Sequence, residues 1–555
     1  MAEKTIDFAK LRDRCNQVVA EHASRNAMYQ AIERMYMMQW DEQPPESYIK
    51  ATMSPDAHIA ITGIGRLLTS TDPVISVARS AEEPGDVARA DKLEKVLQAL
   101  WRRANRARRW PLHYDACKSA ALFAEVCIEI ANVDETLRWA EVEGRDTTQL
   151  KREAKACPYS YNVRHPSTVF PQFGAFGLRS VLHRYRRRLW EVREFWGKNA
   201  AVVEGDDMDW VTFSNYWDAT YHVVWVNDGD KPVVSEKHGL PFIPWVCVIS
   251  DGSGMWNEPE KQRNPMLYSV WKGGWWQRQN LLYSVFYTLA AQMGFPTWVI
   301  TTLDGRDVAI DLNKPGGKVE MRPGESVAPL QKMLIDDAVK QGLAIADSKL
   351  ISATLPRVVF GESPGSTMSY SAMNLLSQGG RLPLVPIERQ VGYALAEMFD
   401  VTLRWIHHAG KKVQLYNVGE MAEVAPFDIN PDHIEVDVKL KADVPQDRLS
   451  LATMIQILRQ PGPDGLPIIS RNTASDFLGF MQPADEFDQV VNEAFVSKFV
   501  QEFIKSGGQP VPQPQQQQAP VGVPPVQMGP PMMPGGGEMG MEQGGMGGVG
   551  GGGEY

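Results

Sequence analysis

Residues 265–293 read PMLYSVWKGGWWQRQNLLYSVFYTLAAQM and predict a long helix. The helix is expected to open at Pro265, because proline in the first turn loses no intrahelical hydrogen bond. At 100° per residue the segment has two unlike faces. One carries Leu267, Trp271, Trp275, Leu282 and Leu289, and the opposite one carries Ser269, Gln277, Asn280, Ser284 and Thr288.

The residues that follow predict a partner for this helix. A compact β-type insert covers about 294–328, and a second helix is expected over about 330–351. One stripe of that helix carries Ile335, Val339, Gly342 and Ala346, and its other face carries Lys332, Asp336, Lys340 and Asp347. Asp336 and Lys340 are a favourable i,i+4 pair. The pattern predicts a helical hairpin with a β tip.

The same region also has to be weighed as a membrane span. Residues 279–303 contain no charged side chain, and that length could cross a bilayer. However, Gly294, Pro296 and the β-rich run 298–302 divide it into a helix followed by a strand. A soluble hairpin is therefore favoured over a membrane span.

The chain before the hairpin predicts mixed α and β structure. Helical periodicity covers about 4–40, 54–70, 86–108 and 110–125, and Cys127 to Ile130 suggests a strand. Between 158 and 250 the pattern predicts antiparallel sheet, with β-rich runs at 210–216, 221–226 and 242–249 and a turn signal at 227–230.

After the hairpin, a loop over about 355–367 precedes a third helical region, about 368–408. Gly379-Gly380, Pro383 and Pro386 must kink or break that helix. A strand is expected at Ile434 to Leu440 and helical structure at about 446–505. The last 50 residues contain 16 Gly and 9 Pro with no Lys or Arg, so a disordered tail is expected.

Composition excludes several classes of protein. The 555 residues include 57 Lys plus Arg and 67 Asp plus Glu, a formal charge of −10, which argues against a protein that coats nucleic acid with a basic surface. The five cysteines are widely spaced and form no CxxC, so they predict reduced, mostly buried thiols and no metal site. The N-terminus shows no secretion signal pattern.

Two motifs have an ordinary explanation beside a catalytic one. Residues 361–365 read GESPG, which matches the G-x-S-x-G of serine esterases, but Pro364 has no N–H for the oxyanion hole. A role for Ser363 at a loop-to-helix junction is preferred. The pair His407-His408 is interpreted as a helix C-terminus capped by Gly410. No phosphate-binding loop is present, so ATP hydrolysis is not expected.

Two arginine clusters, residues 101–110 and 184–188, alternate with aromatic side chains. Such arginines can contact phosphates and stack on bases. In an acidic chain they more often pair with acidic residues of a neighbouring element or subunit. The second explanation is favoured, and the first stays open.

The order of these parts resembles the portal proteins of tailed bacteriophages. Three local stretches add to the resemblance: residues 101–109 with 116–130 resemble the family's wing, 361–370 the entry of the tunnel loop into the long helix, and 469–479 a C-terminal segment. The resemblance implies an α+β subunit with these parts: a mixed α/β wing (1–262), a first stem helix (263–293), a small β-rich clip (294–328), a second stem helix (329–354), a tunnel loop (355–367), a long kinked helix with remaining wing (368–445), a helical crown (446–505) and a disordered tail rich in Gly, Pro, Gln and Met (506–555).

The resemblance also implies a function. Such a chain forms a ring, usually a dodecamer, at one capsid vertex of a virion that is assembled in the host cytoplasm. Double-stranded DNA passes through it without sequence recognition during packaging and ejection. The expected partners are terminase, tail adaptor proteins and the major capsid or scaffolding protein, with no enzymatic activity, cofactor, metal or membrane contact.

The residues expected to line the DNA channel lie in two places. In the tunnel loop they are Arg357, Val358, Val359, Phe360, Glu362 and Ser363, and on the second stem helix they are Lys332, Asp336, Lys340 and Asp347. Two alternatives remain at this point. One is another phage head or neck structural protein, and the other is a G-x-S-x-G serine esterase.

Overall fold

Two helices open the chain and pack on different parts of the molecule. The first, α1, is capped by Asp7, whose side chain accepts a hydrogen bond from the Lys10 N–H at 3.3 Å. It covers a sheet, while α2 enters the main core with Tyr29 and Ile32 fully buried. Before the first large sheet, the helices that the structure describes include α1 (Phe8–Glu21), α2 (Ala23–Tyr36), α3 (Asp56–Leu68), α4 (Asp86–Arg108) and α5 (Leu112–Phe123).

The computed structural model describes most of the first 440 residues, all within a unit that spans Met1–Thr453. The described residues are 6–40, 49–78, 86–132, 137, 141, 146–148, 151–152, 159–175, 177–250, 256, 258–294, 298–305, 322–329, 337–354, 382–417, 420–431 and 435–440. The predicted tunnel loop, crown and tail lie outside them.

A five-stranded antiparallel sheet confirms the β-rich pattern predicted between 158 and 250. Its strands run in chain order, and both of its faces are covered. On β7 (Tyr221–Val226), Val223 and Trp225 face α1, whereas Val224 and Val226 face a cluster that contains α6 (Leu189–Trp196). The elements are β4 (Val169–Gly174), β5 (Gly177–Arg188), α6 (Leu189–Trp196), β6 (Trp210–Asp218), β7 (Tyr221–Val226) and β8 (Val234–Lys237), with β1 (Val74–Val77), β2 (Glu125–Asn132) and β3 (Tyr159–Arg164) preceding them.

A second, three-stranded antiparallel sheet has the order β3-β2-β9, where β9 is Trp245–Ile249. The long helix α10 (Val385–Ala409) packs against this sheet and against α5. Gly392 lets α10 approach the strand that carries Val438 closely, because a Cβ at Gly392 would lie 2.4 Å from the carbonyl oxygen of Val438. That carbonyl belongs to β14 (Val436–Lys439), which pairs with β1 and confirms the strand predicted at 434–440.

The predicted hairpin is present with one correction. The first helix is not continuous from Pro265: α7 (Tyr268–Lys272) ends at Gly273-Gly274, and α8 (Trp275–Gly294) begins after it. Gly274 has φ +63°, a left-handed conformation that favours glycine and interrupts the helix. The remaining elements are β10 (Trp298–Thr301), β11 (Ser326–Pro329), α9 (Asp337–Ala353), β12 (Val413–Asn417) and β13 (Glu420–Val424).

The architecture is mixed helix and sheet, which agrees with the α+β class predicted from the sequence. Within the described residues, no helix combines the length and apolarity of a membrane span. The uncharged run from residue 279 is instead divided between α8 and β10, as the sequence predicted.

Candidate functional site: the helical hairpin and its anchorage

The hairpin consists of α8 and α9 with a two-stranded antiparallel tip. Gly342 of α9 faces α8, since a Cβ at this position would lie 3.4 Å from Cδ1 of Leu282. Ala346 and Leu350 are buried farther along α9. At the tip, β10 pairs with β11 in the register Trp298↔Pro329 to Thr301↔Ser326. The predicted stripe with Gly342 and Ala346 is therefore the contact face of the hairpin.

A polar network joins the two helices near their base. The Gln279 amide on α8 donates to Asp347 of α9 at 2.6 Å and to Asp56 of α3 at 2.9 Å. The Tyr283 hydroxyl lies 3.3 Å from the Asp347 carboxylate. Burial, together with the negative charges of Asp347 and Asp56, raises the pKa of Tyr283 to about 12. The Tyr283 hydroxyl therefore stays protonated and able to donate across the physiological range.

The polar face of α8 holds the segment that leads into α3. The Lys50 N–H donates to Thr288 Oγ1 at 3.0 Å, the Thr52 N–H to Ser284 Oγ at 2.8 Å, and the Ser54 N–H to Asn280 Oδ1 at 2.9 Å. The sequence predicted this polar face but gave it no partner. We call residues 50–54 the strap and these three hydrogen bonds the ladder.

The spacing of the ladder follows from backbone geometry. Its side chains lie four residues apart on α8, a rise of about 6.0 Å. Alternate residues of an extended chain advance by about 6.6 Å, so the two spacings nearly match. Asn280 and Ser284 are fully buried by this contact. The strap N–H groups therefore donate to the buried side-chain oxygens of Ser284 and Asn280, whereas Ser284 Oγ also donates to the Asn280 carbonyl within α8 at 2.7 Å and Asn280 Nδ2 has no hydrogen-bond partner among the described residues.

Large apolar side chains remain on the outside of the hairpin. Leu281 and Tyr287 of α8 are 36% and 53% exposed, and Ile345 of α9 is 53% exposed. The face of α8 that carries Leu282 packs against α9, and the polar face of α8 binds the strap. Leu281 and Tyr287 lie about 120° apart around α8, on either side of the face that binds the strap, so the uncovered surface of the hairpin is in more than one part.

A buried charge cluster lies in the body beside the base of the hairpin. Glu125 of β2 accepts two hydrogen bonds from Arg263, at 2.7 and 3.0 Å, and one from Arg25 of α2 at 3.3 Å. The Tyr29 hydroxyl donates to the same carboxylate at 2.7 Å. All three charged side chains are at most 1% exposed. Arg25 also donates to the carbonyl of Val169 at 3.0 Å, so the cluster joins both sheets.

Charge pairing dominates the ionisation of this cluster. Burial alone would raise the pKa of Glu125, but the two guanidinium groups and the hydrogen bonds outweigh it and lower the pKa to about 2. The cluster is consequently ionised throughout the neutral range. Sequence reasoning missed it, because the three residues are separated by up to 238 positions and share no motif.

The predicted channel residues are only partly described. The tunnel-loop residues Arg357 to Phe360, Glu362 and Ser363, like Lys332 and Asp336 of the second stem helix, lie outside the described residues. Lys340 is exposed and pairs with Asp337 at 3.1 Å, and its predicted partner Asp336 lies outside the described residues. Asp347 is half-buried and contacts α8 through Gln279 and Tyr283, so its carboxylate is engaged within the hairpin. Their orientation toward a channel stays a prediction.

The second arginine cluster is engaged by the chain itself, as the favoured interpretation predicted. On β5, Arg184 pairs with Asp228 at 3.5 Å and Arg187 with Glu191 at 3.2 Å. Arg188 lies 4.2 Å from the ring centre of Trp210. Arg187 and Arg188 lie at the end of β5, where α6 begins, and Arg184 joins the middle of β5 to the turn after β7.

The first arginine cluster, residues 101–110, lies partly in the core and partly on the surface. Trp101 is buried, and Arg108 pairs with Asp115 at 2.6 Å. Arg106 and Arg109 are exposed at the end of α4. The partner of this exposed part remains open, as it did from the sequence.

The remaining motifs give no catalytic site within the described residues. Gly410 adopts the left-handed conformation at φ +65° and caps α10, as predicted, while His407 lies 2.9 Å from the carbonyl oxygen of Pro426. No group of three or more His, Cys, Asp or Glu side chains is placed to hold a metal ion in the described ranges. The G-x-S-x-G stretch lies outside them.

No protein-family model and no curated protein matches the chain. Among the solved structures that are similar to the chain are three from gene transfer agent particles. The chain is 14% identical to one in the neck of an empty gene transfer agent particle with C6 symmetry, with a TM-score of 0.43 over 80% of this chain and 95% of that one. To a chain in the virion of a native gene transfer agent particle it is 14% identical, with a TM-score of 0.41 over 80% of this chain and 94% of that one. To a chain in the neck of a native particle with C12 symmetry it is 12% identical, with a TM-score of 0.39 over 81% of this chain and 93% of that one.

Proposed function

We propose that the chain is a non-enzymatic structural subunit of the head or neck of a phage-like particle, where it assembles with copies of itself into a ring. The observation that carries the proposal is the helical hairpin with its β tip, anchored to the α/β body by the strap. The solved structures named above come from particles of this kind, but the proposal rests on the hairpin.

The uncovered surface of the hairpin supports assembly. Leu281, Tyr287 and Ile345 are exposed even though both neighbouring faces of α8 are occupied within the chain. These side chains would be removed from water if neighbouring copies packed on either side of the strap-bound face of α8. A contact between unlike surfaces of successive copies closes into a ring when its rotation allows.

The more specific proposal is a portal, the channel through which double-stranded DNA enters and leaves the capsid at one vertex. A channel that lets DNA slide should not hold phosphates tightly, and a subunit with a net charge of −10 suits this requirement. Arg357 to Phe360, Glu362 and Ser363 would then form the narrowest part, with Lys332, Asp336, Lys340 and Asp347 along the stem. Terminase would supply ATP hydrolysis, and tail adaptors and capsid or scaffolding protein would dock outside.

Electron micrographs of the purified full-length chain test both levels of the proposal. We expect closed rings with a central hole in end-on views, and twelve subunits for a portal. Tyr287→Glu combined with Ile345→Glu should shift light scattering toward the 62.0 kDa monomer, whereas Lys340→Glu, an exposed control on the same hairpin, should not.

Three other outcomes would change the conclusion. Rings with a number of subunits other than twelve would remove the portal and leave another head or neck protein. A monomer at every concentration would refute ring assembly altogether. Hydrolysis of a short-chain ester that Ser363→Ala abolishes would show an esterase and contradict a purely structural role.

A further inference from the structure

Two cysteines face each other in the middle of the three-stranded sheet. Cys127 of β2 lies directly opposite Cys247 of β9 in the antiparallel register. Both are free thiols and are buried, with 0% and 6% exposure. Directly opposite residues project to the same face of a sheet. The two thiols accordingly lie side by side on the same face of the sheet.

The hydrogen-bond pattern of the two strands defines the kind of pair they form. The Ser250 N–H donates to the Ala124 carbonyl at 2.9 Å, and the Ile130 N–H donates to the Pro244 carbonyl at 3.0 Å. These are hydrogen-bonded pairs, and such pairs alternate with non-hydrogen-bonded ones along an antiparallel ladder. Cys127 and Cys247 are three positions from each, so they form a non-hydrogen-bonded pair.

That position suits a disulfide. In a non-hydrogen-bonded pair the Cα atoms are about 4.5 Å apart, the closest arrangement in a sheet. Disulfides span Cα separations of about 4.4 to 6.8 Å. The bond can therefore form without moving either strand.

The surroundings make the thiols slow to react but place cationic groups close to them. Burial raises the pKa of Cys127, so little thiolate is present at neutral pH. The Cys127 thiol donates to Glu125 Oε1 at 3.9 Å, and Glu125 in turn binds Arg25 and Arg263. The positive charge of Arg25 favours the Cys127 thiolate. A small oxidant that reaches the pair would therefore meet two thiols on directly opposite residues of neighbouring strands.

We propose that Cys127 and Cys247 are an oxidation site, at which a small two-electron oxidant converts the two thiols into an intrachain disulfide. With a diazenedicarboxamide (diamide) as oxidant, one thiolate adds to a nitrogen of the N=N bond, and the other nitrogen takes up a proton. The second thiolate then attacks the first sulfur. The S–S bond forms, the S–N bond breaks, and the oxidant leaves as the hydrazine with the two electrons and two protons of the thiols.

The other described cysteines are not placed for this reaction. Cys15 belongs to the cluster between α1 and the five-stranded sheet, and Cys117 belongs to the main core. Cys127 and Cys247 share a third cluster with Trp245. The pair is therefore expected to oxidise with each other in preference to these two thiols.

Peptide mapping of the native full-length chain tests the proposal. The chain is treated with diamide, its remaining thiols are blocked with N-ethylmaleimide in denaturant, and it is digested with trypsin without reductant. We expect a linked pair of peptides, residues 119–138 with residues 238–261. The link should form in most chains, disappear on reduction, persist in Cys117→Ser and be absent from Cys247→Ser.

Two results would overturn the proposal. In one, both peptides still carry the maleimide label, although glutathione added to the same solution as a control thiol is fully oxidised by diamide. In the other, Cys127 is linked mainly to a different cysteine. Because the decisive measurement uses the parent chain, failure of a variant to fold cannot obscure it, and neither result depends on ring assembly.

Discussion

Replacing Glu125 by glutamine should strongly destabilise the body of the protein. The change leaves Arg25 and Arg263 buried with no carboxylate to balance them. Removal of one partner from a buried ion pair costs about 3–5 kcal/mol. The pKa gives an independent figure, since a fall from 4.5 to about 2 corresponds to roughly 3 kcal/mol of stabilisation at neutral pH. The two values agree, so we expect a loss of about 3–5 kcal/mol.

The same reasoning predicts how the effect depends on pH. Because folding lowers the pKa of Glu125, its ionisation stabilises the folded chain above pH 4.5, and this contribution is lost as the pH falls toward 2. The stability difference between parent and Glu125→Gln should therefore be constant above about pH 5 and shrink below pH 4.5.

Urea unfolding followed by tryptophan fluorescence measures this difference at equal protein concentration. Glu258→Gln is a suitable control, because Glu258 also forms an ion pair, with Lys261 at 3.1 Å, but both side chains are about half exposed. The control should unfold like the parent. Equal urea midpoints for Glu125→Gln and the parent at every pH between 3 and 8 would refute the reasoning.

Two further substitutions test close contacts described above. Gly392→Ala should cost about 1–3 kcal/mol, because the added Cβ would meet the Val438 carbonyl oxygen and push β14 from α10; an unchanged thermal midpoint would contradict this contact. Ser284→Ala should cost about 1–3 kcal/mol by leaving the Thr52 N–H without its acceptor. Amide hydrogen exchange at Thr52 should then accelerate, while the exposed control Ser269→Ala should leave it unchanged.

Local patterns predicted elements well where one face of the chain is apolar. The strand Tyr221–Val226 and the helix Asp86–Arg108 are present where they were expected, and Gly410 caps α10. The break at Gly273-Gly274 was missed, because the apolar spacing continues across it although the backbone conformation of Gly274 does not. Periodicity reports which side chains share a face, and a left-handed glycine changes the backbone without changing that pattern.

Long-range polar contacts were the part that the sequence could not predict. Asn280, Ser284 and Thr288 predict a polar face on α8, but the sequence names no partner for it. Their partners are backbone N–H groups more than 220 residues earlier, and a backbone group has no residue-type signal. Similarly, nothing in the sequence pairs Glu125 with Arg263. Only the tertiary fold brings such groups within hydrogen-bond distance.

The direction of the strap along α8 has a mechanical consequence. Residues 50 to 54 run opposite to α8, because Ser54 binds near its start and Lys50 near its end. A force along the helix axis would load all three hydrogen bonds at once, in shear. A force perpendicular to the axis would load them one after another, as in peeling. The hairpin is thus joined to the body by an attachment that resists axial tension better than lateral tension.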